Sequence, residues 1–553
     1  MPDYHYTCGM TFDELVGQLM VVGFHGTTVT QEVIELIQRY HVGGIILFSR
    51  NVEDTEQLLR LTSSLQDVAR EAGYRYPLLI AIDQENGVVR RLGQGATIFP
   101  GNMAIGATGL EQAAHDIAFA SGRELKALGI NMNLAPVVDV NNNPTNPVIG
   151  IRSFGEDPRQ VACFVEAAVR GYHEAGIITC LKHFPGHGDT AVDSHLALPS
   201  IPYTMERLEQ VELVPFRRGI AAGADSVMVA HICYPRIRHV EADTLVATTS
   251  PTIIQGLLRE KLGFDGVIMS DCLEMLAITK TVGTEQGTVL AIQAGIDLAL
   301  VSHCHSRQIG SIVAIQRAVH TGKLSLEVIR LAAERVLRLK DRYLCWDNLP
   351  KTSMPGWLGG VDHAHLRDAV YDRSVTVLKD EDALIPLRLK TTERLLVLYP
   401  DGKPVTLVED RHSSGELMVE SIKARHPRVN AAAISLRPTG EEQEQILQIA
   451  EDADVIIMVT ANAHLHMEQV ALMQCLFNGN RRIIGIAAYN PYDLLAFPQL
   501  RTYLATYECT PPALEAAVRI LFGEVQSQGH LPVSLSGMYP IGYGKACNGK
   551  YTP

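Results

Sequence analysis

Along the first part of the chain, over about 340 residues, short apolar runs alternate with stretches whose apolar residues recur at helical spacing. The runs are Leu19–Phe24, Gly44–Phe48, Leu78–Asp83, Met132–Val140, Thr179–Phe184, Ser226–Ile232, Gly266–Asp271 and Asp297–Ser302. Each is nearly continuous in apolar residues, the pattern of a strand buried on both faces of a parallel sheet. The segments between them, such as Asp54–Ala72 and Leu110–Leu128, carry the period of an amphipathic helix. Repeated βα units in this number favour a (β/α)8 TIM-like barrel with insertions; periodicity alone leaves a doubly wound open sheet as the alternative. Polar residues gather where the runs end, at Asp83, Asp139, Lys182, His183, His231 and Asp271. In a barrel those carboxyl ends share one mouth, where barrel active sites sit. Taken singly, each residue reads better as a turn or cap; their accumulation weakens that reading.

The pattern changes at Leu344–Gly360, which holds Trp346, Pro350, Pro355, Trp357 and the pair Gly359-Gly360. A linker or extended crossing segment is predicted there. Further strand candidates follow at Leu395–Tyr399, Ala431–Leu436, Val455–Thr460, Ile483–Ala488 and Tyr503–Thr506, with helical stretches such as Glu441–Asp452 between them. The division predicted is a barrel over 1–344, a linker over 345–372 and a second, smaller α/β domain over 373–553.

Composition narrows the function classes. The chain has 553 residues, 46% of them apolar and 20% charged, which suits a globular protein with a sizeable core. Its formal net charge is −13, with no clustering of Lys and Arg that would neutralise phosphates, so no nucleic acid partner is expected. No apolar run reaches the length of about 18 residues that crosses a bilayer, so no membrane partner is expected. The sequence opens without a basic segment followed by an apolar one, and none of the ten cysteines forms a C-x-x-C pair. The expected location is the cytoplasm, with signal-less export as the alternative.

The stretch richest in chemistry is Lys182-His183-Phe184-Pro185-Gly186-His187-Gly188-Asp189-Thr190, followed by Asp193-Ser194-His195. Its prolines and glycines preclude a regular helix, so it is predicted as the loop leaving the fifth strand. His183, His187, His195 and Asp189 are competent metal ligands, but the one helix face that would gather them is broken by Pro185 and Gly186. No metal and no cofactor is expected. Asp193 can hold one ring nitrogen of His195 and aim the other at a substrate, a pairing suited to general acid–base work near neutral pH. Asp271, ending the seventh run, is a candidate nucleophile on the opposite face of a sugar; alone, it reads as the N-cap of a helix beginning near Leu273.

These segments resemble glycoside hydrolase family 3, specifically its β-N-acetylglucosaminidase branch. The loop just quoted carries the resemblance, with Ile82-Asp83-Gln84-Glu85…Arg91, Asn133-Leu134-Ala135-Pro136-Val137-Val138-Asp139-Val140, Arg152-Ser153-Phe154-Gly155, Ala230-His231-Ile232 and Gly266-Val267-Ile268-Met269-Ser270-Asp271 in the same order. The segment Leu521-Phe522-Gly523-Glu524…Gly529-His530-Leu531-Pro532-Val533-Ser534 is similar to the close of the family's α/β sandwich domain. The resemblance implies a retaining exo-β-N-acetylglucosaminidase that releases terminal β-linked GlcNAc. It makes Asp271 the nucleophile, His195 paired with Asp193 the acid/base, and Asp83, Arg91, Arg152, Lys182 and His183 ligands of sugar hydroxyls; His187 and Asp189 would shape the loop. Two departures stand out: Asn86-Gly87-Val88 where the family often has Gly-Gly-Arg, and Cys272 after the nucleophile. The partner implied is a small GlcNAc-terminated carbohydrate, such as a chito-oligosaccharide or peptidoglycan fragment. A phosphorylase using phosphate as acceptor is the alternative, and a non-catalytic sugar-binding module a more distant one. The second domain has three candidate roles: completing the cleft, buttressing the barrel or mediating a homodimer.

Overall fold

The computed structural model describes residues 5–190, 198–237, 246–349, 353–409, 415–479 and 481–546. Eight strands form a closed parallel barrel in sequence order: β1 (Met20–Val22), β2 (Gly44–Leu47), β3 (Leu79–Ile82), β4 (Met132–Asn133), β5 (Ile178–Phe184), β6 (Ser226–Val229), β7 (Val267–Cys272) and β8 (Leu298–Val301). β8 pairs back onto β1, so the sheet has no edge and the open-sheet alternative falls away. Side chains alternate across each strand. Val21, Ile46, Leu79, Met132, Cys180, Met228, Met269 and Leu300 pack inside the barrel, while Val22, Ile45, Ile80, Val227 and Ile268 face the surrounding helices.

One predicted strand is much shorter than its apolar run. Met132–Val140 reads as nine residues of strand, yet the regular ladder of β4 stops at Asn133. Pro136 has no N–H to give the ladder, so pairing there becomes irregular. The run still lies against β5, since Cys180 N donates to Ala135 O at 2.9 Å and Val138 N to Lys182 O at 2.8 Å. It therefore delivers Asp139 to the barrel mouth.

The second domain is a six-stranded sheet built from β9 (Thr376–Asp380), β10 (Leu395–Pro400), β11 (Val429–Ile434), β12 (Val455–Thr460), β13 (Arg482–Ala487) and β14 (Thr502–Ala505). Their spatial order is β11-β10-β12-β13-β14-β9, parallel except for the antiparallel edge strand β9. The apolar pattern does not predict β9, a short strand whose last two residues are Lys379 and Asp380. The stretch expected to link the domains contains a short turn at Trp346–Asn348 and the start of the helix Val361–Ser374. That helix packs on both domains, against Pro511–Leu521 of the second and Asn102–Ala107 of the barrel.

The carboxyl ends of β12, β13 and β14 face the barrel loops that follow β3 and β4. His464 Nε2 lies 3.0 Å from Pro144 O, and Gly101 N donates to Glu508 Oε1 at 3.0 Å. Val88, Val89, Met103, Ala104 and Ile151 from those barrel loops are packed into the apolar core of the second domain. The two domains thus share buried surface beside the barrel mouth.

At the base of the barrel Lys340 is fully buried, with Nζ donating to Gln18 Oε1 at 2.7 Å. Burial pushes its ammonium down to about 7. An unfolded lysine holds its proton to about 10.4, so between those values the unfolded chain binds more protons and rising pH stabilises the fold. Lys340→Met removes that dependence. The melting temperature of the variant relative to wild type should be highest near pH 6.5 and fall towards pH 9.5. A difference that stays constant with pH would contradict the assignment.

Candidate active site

A cavity of about 520 Å³ opens at the carboxyl ends of the barrel strands. Asp83, Arg91, Arg152, Lys182, His183 and Asp271 all line it, so six of the eight residues singled out in the sequence converge on one place. The other two, Asp193 and His195, lie outside the described residues. Segments on either side of them are tied down. On one side His187 N donates to Asp139 Oδ1 at 2.7 Å, and on the other Ile201 N donates to Cys233 O at 2.9 Å. Gly188 presses on the Val140 carbonyl so closely that a Cβ would sit 1.7 Å from its oxygen, which only glycine avoids.

The floor of the cavity is a compact charge cluster. Lys182 Nζ lies 2.6 Å from Asp83 Oδ1 and 2.6 Å from Glu85 Oε1. Arg152 grips Glu85 with two parallel bonds, Nε to Oε2 and Nη2 to Oε1, each 2.8 Å. Burial by itself would raise the Glu85 carboxyl, but Arg152 and Lys182 outweigh it and hold it well below the usual carboxylate range. Lys182 shows the converse. Burial opposes its charge, yet Asp83 and Glu85 raise its pKa. Buried Lys182, Arg152 and Glu85, with half-buried Asp83 against Lys182, thus form a fixed, polar floor of paired charges.

A second pair orients His183. Its Nδ1 lies 2.8 Å from Asp139 Oδ2, and its Nε2 lies 3.4 Å from Arg152 Nη2. Burial would raise the Asp139 carboxyl, but His183 lowers it on balance. The network suits the tautomer with its proton on Nδ1, donating to Asp139 and leaving Nε2 as an acceptor towards Arg152. His187 stands edge-on to His183 with ring centroids 5.7 Å apart, and its Nδ1 lies 2.8 Å from Thr190 Oγ1. Burial pushes its imidazole down to about 4, so His187 is neutral at pH 7 and shapes the loop.

Asp271 occupies the fifth position of β7. The nearest helix, Leu276–Thr279, has Met275 at its N-cap, so Asp271 does not cap it. Its Oδ1 accepts from Cys272 N at 2.7 Å. Burial pushes the Cys272 thiol up to about 11, which keeps it protonated and poorly nucleophilic beside Asp271. Glu85 and Asp139, the carboxylates that organise the floor, were visible in sequence only as part of a motif and as a strand end. Nothing in their spacing says that they meet Arg152 and His183 across 67 and 44 residues. Completing the cleft is one of the roles the sequence left open to the second domain, without saying which of its residues would do so. Leu407 and Val408 line the cavity, and Val408 O accepts from Arg91 Nη1 at 2.9 Å.

Replacing Glu85 by Gln leaves Lys182 and Arg152 with one carboxylate between them. The loss should be about 3–5 kcal/mol of folding stability, as for breaking a buried ion pair by removing one partner. Calorimetry should therefore show a clearly lowered melting temperature; an unchanged one would mean that the cluster is solvated.

The comparisons agree with this geometry. The pattern of the glycosyl hydrolase family 3 N-terminal domain matches residues 11–339. The chain is 32% identical to a beta-hexosaminidase A of Pseudoalteromonas piscicida, over 92% of each protein. It is similar to the solved family 3 beta-N-acetylglucosaminidase of Paenibacillus sp. str. FPU-7, with a TM-score of 0.89, 40% identity, and coverage of 95% of this chain and 99% of that one. A fungal multi-domain GH3 beta-N-acetylglucosaminidase matches with a TM-score of 0.90 and 42% identity over 96% of this chain, which spans 62% of the fungal chain's length. With the family pattern covering more than half of the chain and its motifs converging on one barrel mouth, this protein belongs to glycoside hydrolase family 3.

Proposed function

We infer that the protein is a retaining exo-β-N-acetylglucosaminidase that releases terminal, non-reducing β-linked GlcNAc by double displacement. The observation that carries this reading is the single cavity in which Asp271 faces the floor of Asp83, Lys182, Arg152 and His183. Relatives named beta-hexosaminidase and beta-N-acetylglucosaminidase support a hydrolase over a phosphorylase. In this reading the floor binds sugar hydroxyls. Lys182 and Arg152 donate, while Asp83 and the Nε2 of His183 accept.

Asp271, as carboxylate, attacks the anomeric carbon while the bond to the leaving oxygen breaks and His195 gives that oxygen its proton. Asp193 stabilises the imidazolium before the transfer. In the second half a water loses its proton to His195, attacks the same carbon and expels Asp271, so the β configuration is kept. Asp139 and Glu85 stay on the floor as ionised partners and transfer no proton. The substrate class is a small GlcNAc-terminated carbohydrate. Cytoplasmic residence belongs to the same proposal, resting on the sequence, and cell fractionation tests it.

The test is hydrolysis of an aryl β-N-acetylglucosaminide beside an aryl β-glucoside, with and without phosphate, following the anomer first released. β-GlcNAc is expected, with little glucoside activity. A phosphate-dependent sugar 1-phosphate would move the reaction to a phosphorylase. Asp271→Ala should abolish turnover of every glycoside, whereas His195→Ala should cost roughly 10²–10⁴-fold on substrates with poor leaving groups and far less on activated ones. Equal losses on both substrate types would remove His195 from the acid role.

A further inference from the structure

The sugar-binding floor is held from behind by the second domain, through a circuit that closes on Glu508. This carboxyl lies just past β14, fully buried at the domain boundary. Its Oε1 accepts from Gly101 N at 3.0 Å, and its Oε2 from Tyr371 Oη at 3.1 Å and Thr510 Oγ1 at 3.1 Å. Gly101 begins the helix Asn102–Ala107, and Asn102 Nδ2 donates to the backbone carbonyl of Arg152 at 2.8 Å. Arg152 in turn holds Glu85. Two residues beyond Glu85, Gly87 (φ +59) packs on Gly101, where a Cβ would lie 2.8 Å from Gly101 Cα and 3.2 Å from Glu508 Oε2. Gly87 N also donates to Phe99 O at 2.9 Å, and Arg90 Nη1 to Gly87 O at 3.0 Å. Glu508 therefore holds Gly101, which leads to Glu85 through Gly87 and to Arg152 through Asn102.

A second observation sets Glu508 apart from an ordinary interface residue. Tyr507, immediately before it, has φ +65, a conformation that bulky residues rarely adopt. Such strain costs about 1–3 kcal/mol and persists where the surroundings over-determine it. Tyr507 is held there with its hydroxyl donating to Thr376 Oγ1 at 2.7 Å. The turn thus aims Glu508 out of the second domain and under the barrel loops.

We propose that Glu508 is a positioning residue for the sugar pocket: by binding Gly101 and abutting Gly87, it sets the register of Glu85 against Arg152 and Lys182. The second domain then tunes substrate binding without touching substrate through this residue. The proposal rests on reading the Glu85–Arg152–Lys182 floor as the sugar site.

The test compares Glu508→Ala, Glu508→Gln and Arg519→Ala in the full chain. Arg519 pairs with Asp372 inside the second domain, next to Tyr371 in sequence but bonded to neither Glu508 nor Gly101, and controls for general loss of stability. Glu508→Ala should raise KM for an aryl β-N-acetylglucosaminide roughly tenfold or more, the scale of effect expected when pocket groups shift by about an ångström, with a smaller change in kcat. Glu508→Gln keeps an acceptor for Gly101 N and should restore KM, and Arg519→Ala should leave KM unchanged. Hydrogen exchange supplies a readout independent of turnover: the Gly87 and Gly101 amides should exchange faster in Glu508→Ala and recover in Glu508→Gln. Wild-type protein without turnover would sink the glycosidase reading alone. Unchanged exchange at those amides, or an unchanged KM in an active Glu508→Ala enzyme, would overturn the positioning role.

Discussion

Carboxylate–cation compensation under the barrel mouth is the constraint on which the site depends. An uncompensated charge taken out of water costs several kcal/mol even after relaxation, so Lys182 and Arg152 can be buried only if Asp83 and Glu85 arrive at hydrogen-bonding distance. Glu85 answers to both cations at once, through Arg152 at 2.8 Å and Lys182 at 2.6 Å. That requirement couples the loops after β3 and β4 to the end of β5. The resulting floor is polar and rigid, with little net charge. Such a surface suits a neutral sugar, whose hydroxyls need fixed donors and acceptors but offer no charge to pay for desolvating an ion.

The same constraint gives the second domain its place. Loops that carry an ion-pair network cannot be left to wander, and on the barrel alone those after β3 and β4 would be supported on one side. Here the carboxyl ends of the second domain's strands close over them, and Val88, Met103 and Ile151 join its apolar core. Apolar burial fixes the two bodies against each other, and a few polar contacts, at Glu508, His464 and Val408, fix the register. Of the roles open to the second domain, completing the cleft and buttressing the barrel both have residues in this interface.

Legibility in the sequence followed the range of the interaction. The strands were readable because a parallel barrel strand is buried on both faces, and a run such as Ile45-Ile46-Leu47 announces this without reference to anything distant. β4 was overread because apolar character persists through Leu134–Val140 where Pro136 interrupts the ladder. β9 was missed because an antiparallel edge strand ending Lys379-Asp380 has no such run. For the site, chemical type and strand-end position located Asp83, Lys182, His183 and Asp271. Asp139 stood out by the same strand-end position but without a role, and Glu85 and Glu508 were not distinguished by these signals, because what sets them apart is their partners.

By itself the sequence determined the βα alternation, the family motifs and the set of ionisable residues gathered at strand ends, since each is a property of residues close together in the chain. Tertiary structure decided that the barrel closes, which carboxylate neutralises which cation, and that Leu407 and Val408 of a second domain reach the cavity while Glu508 meets the loop behind it. Lys182 and Asp83 are 99 residues apart, and Gly101 and Glu508 are 407 apart. Contacts over such distances are selected by the packing of whole elements and by the cost of leaving a buried charge or amide without a partner, and neither is written in local pattern.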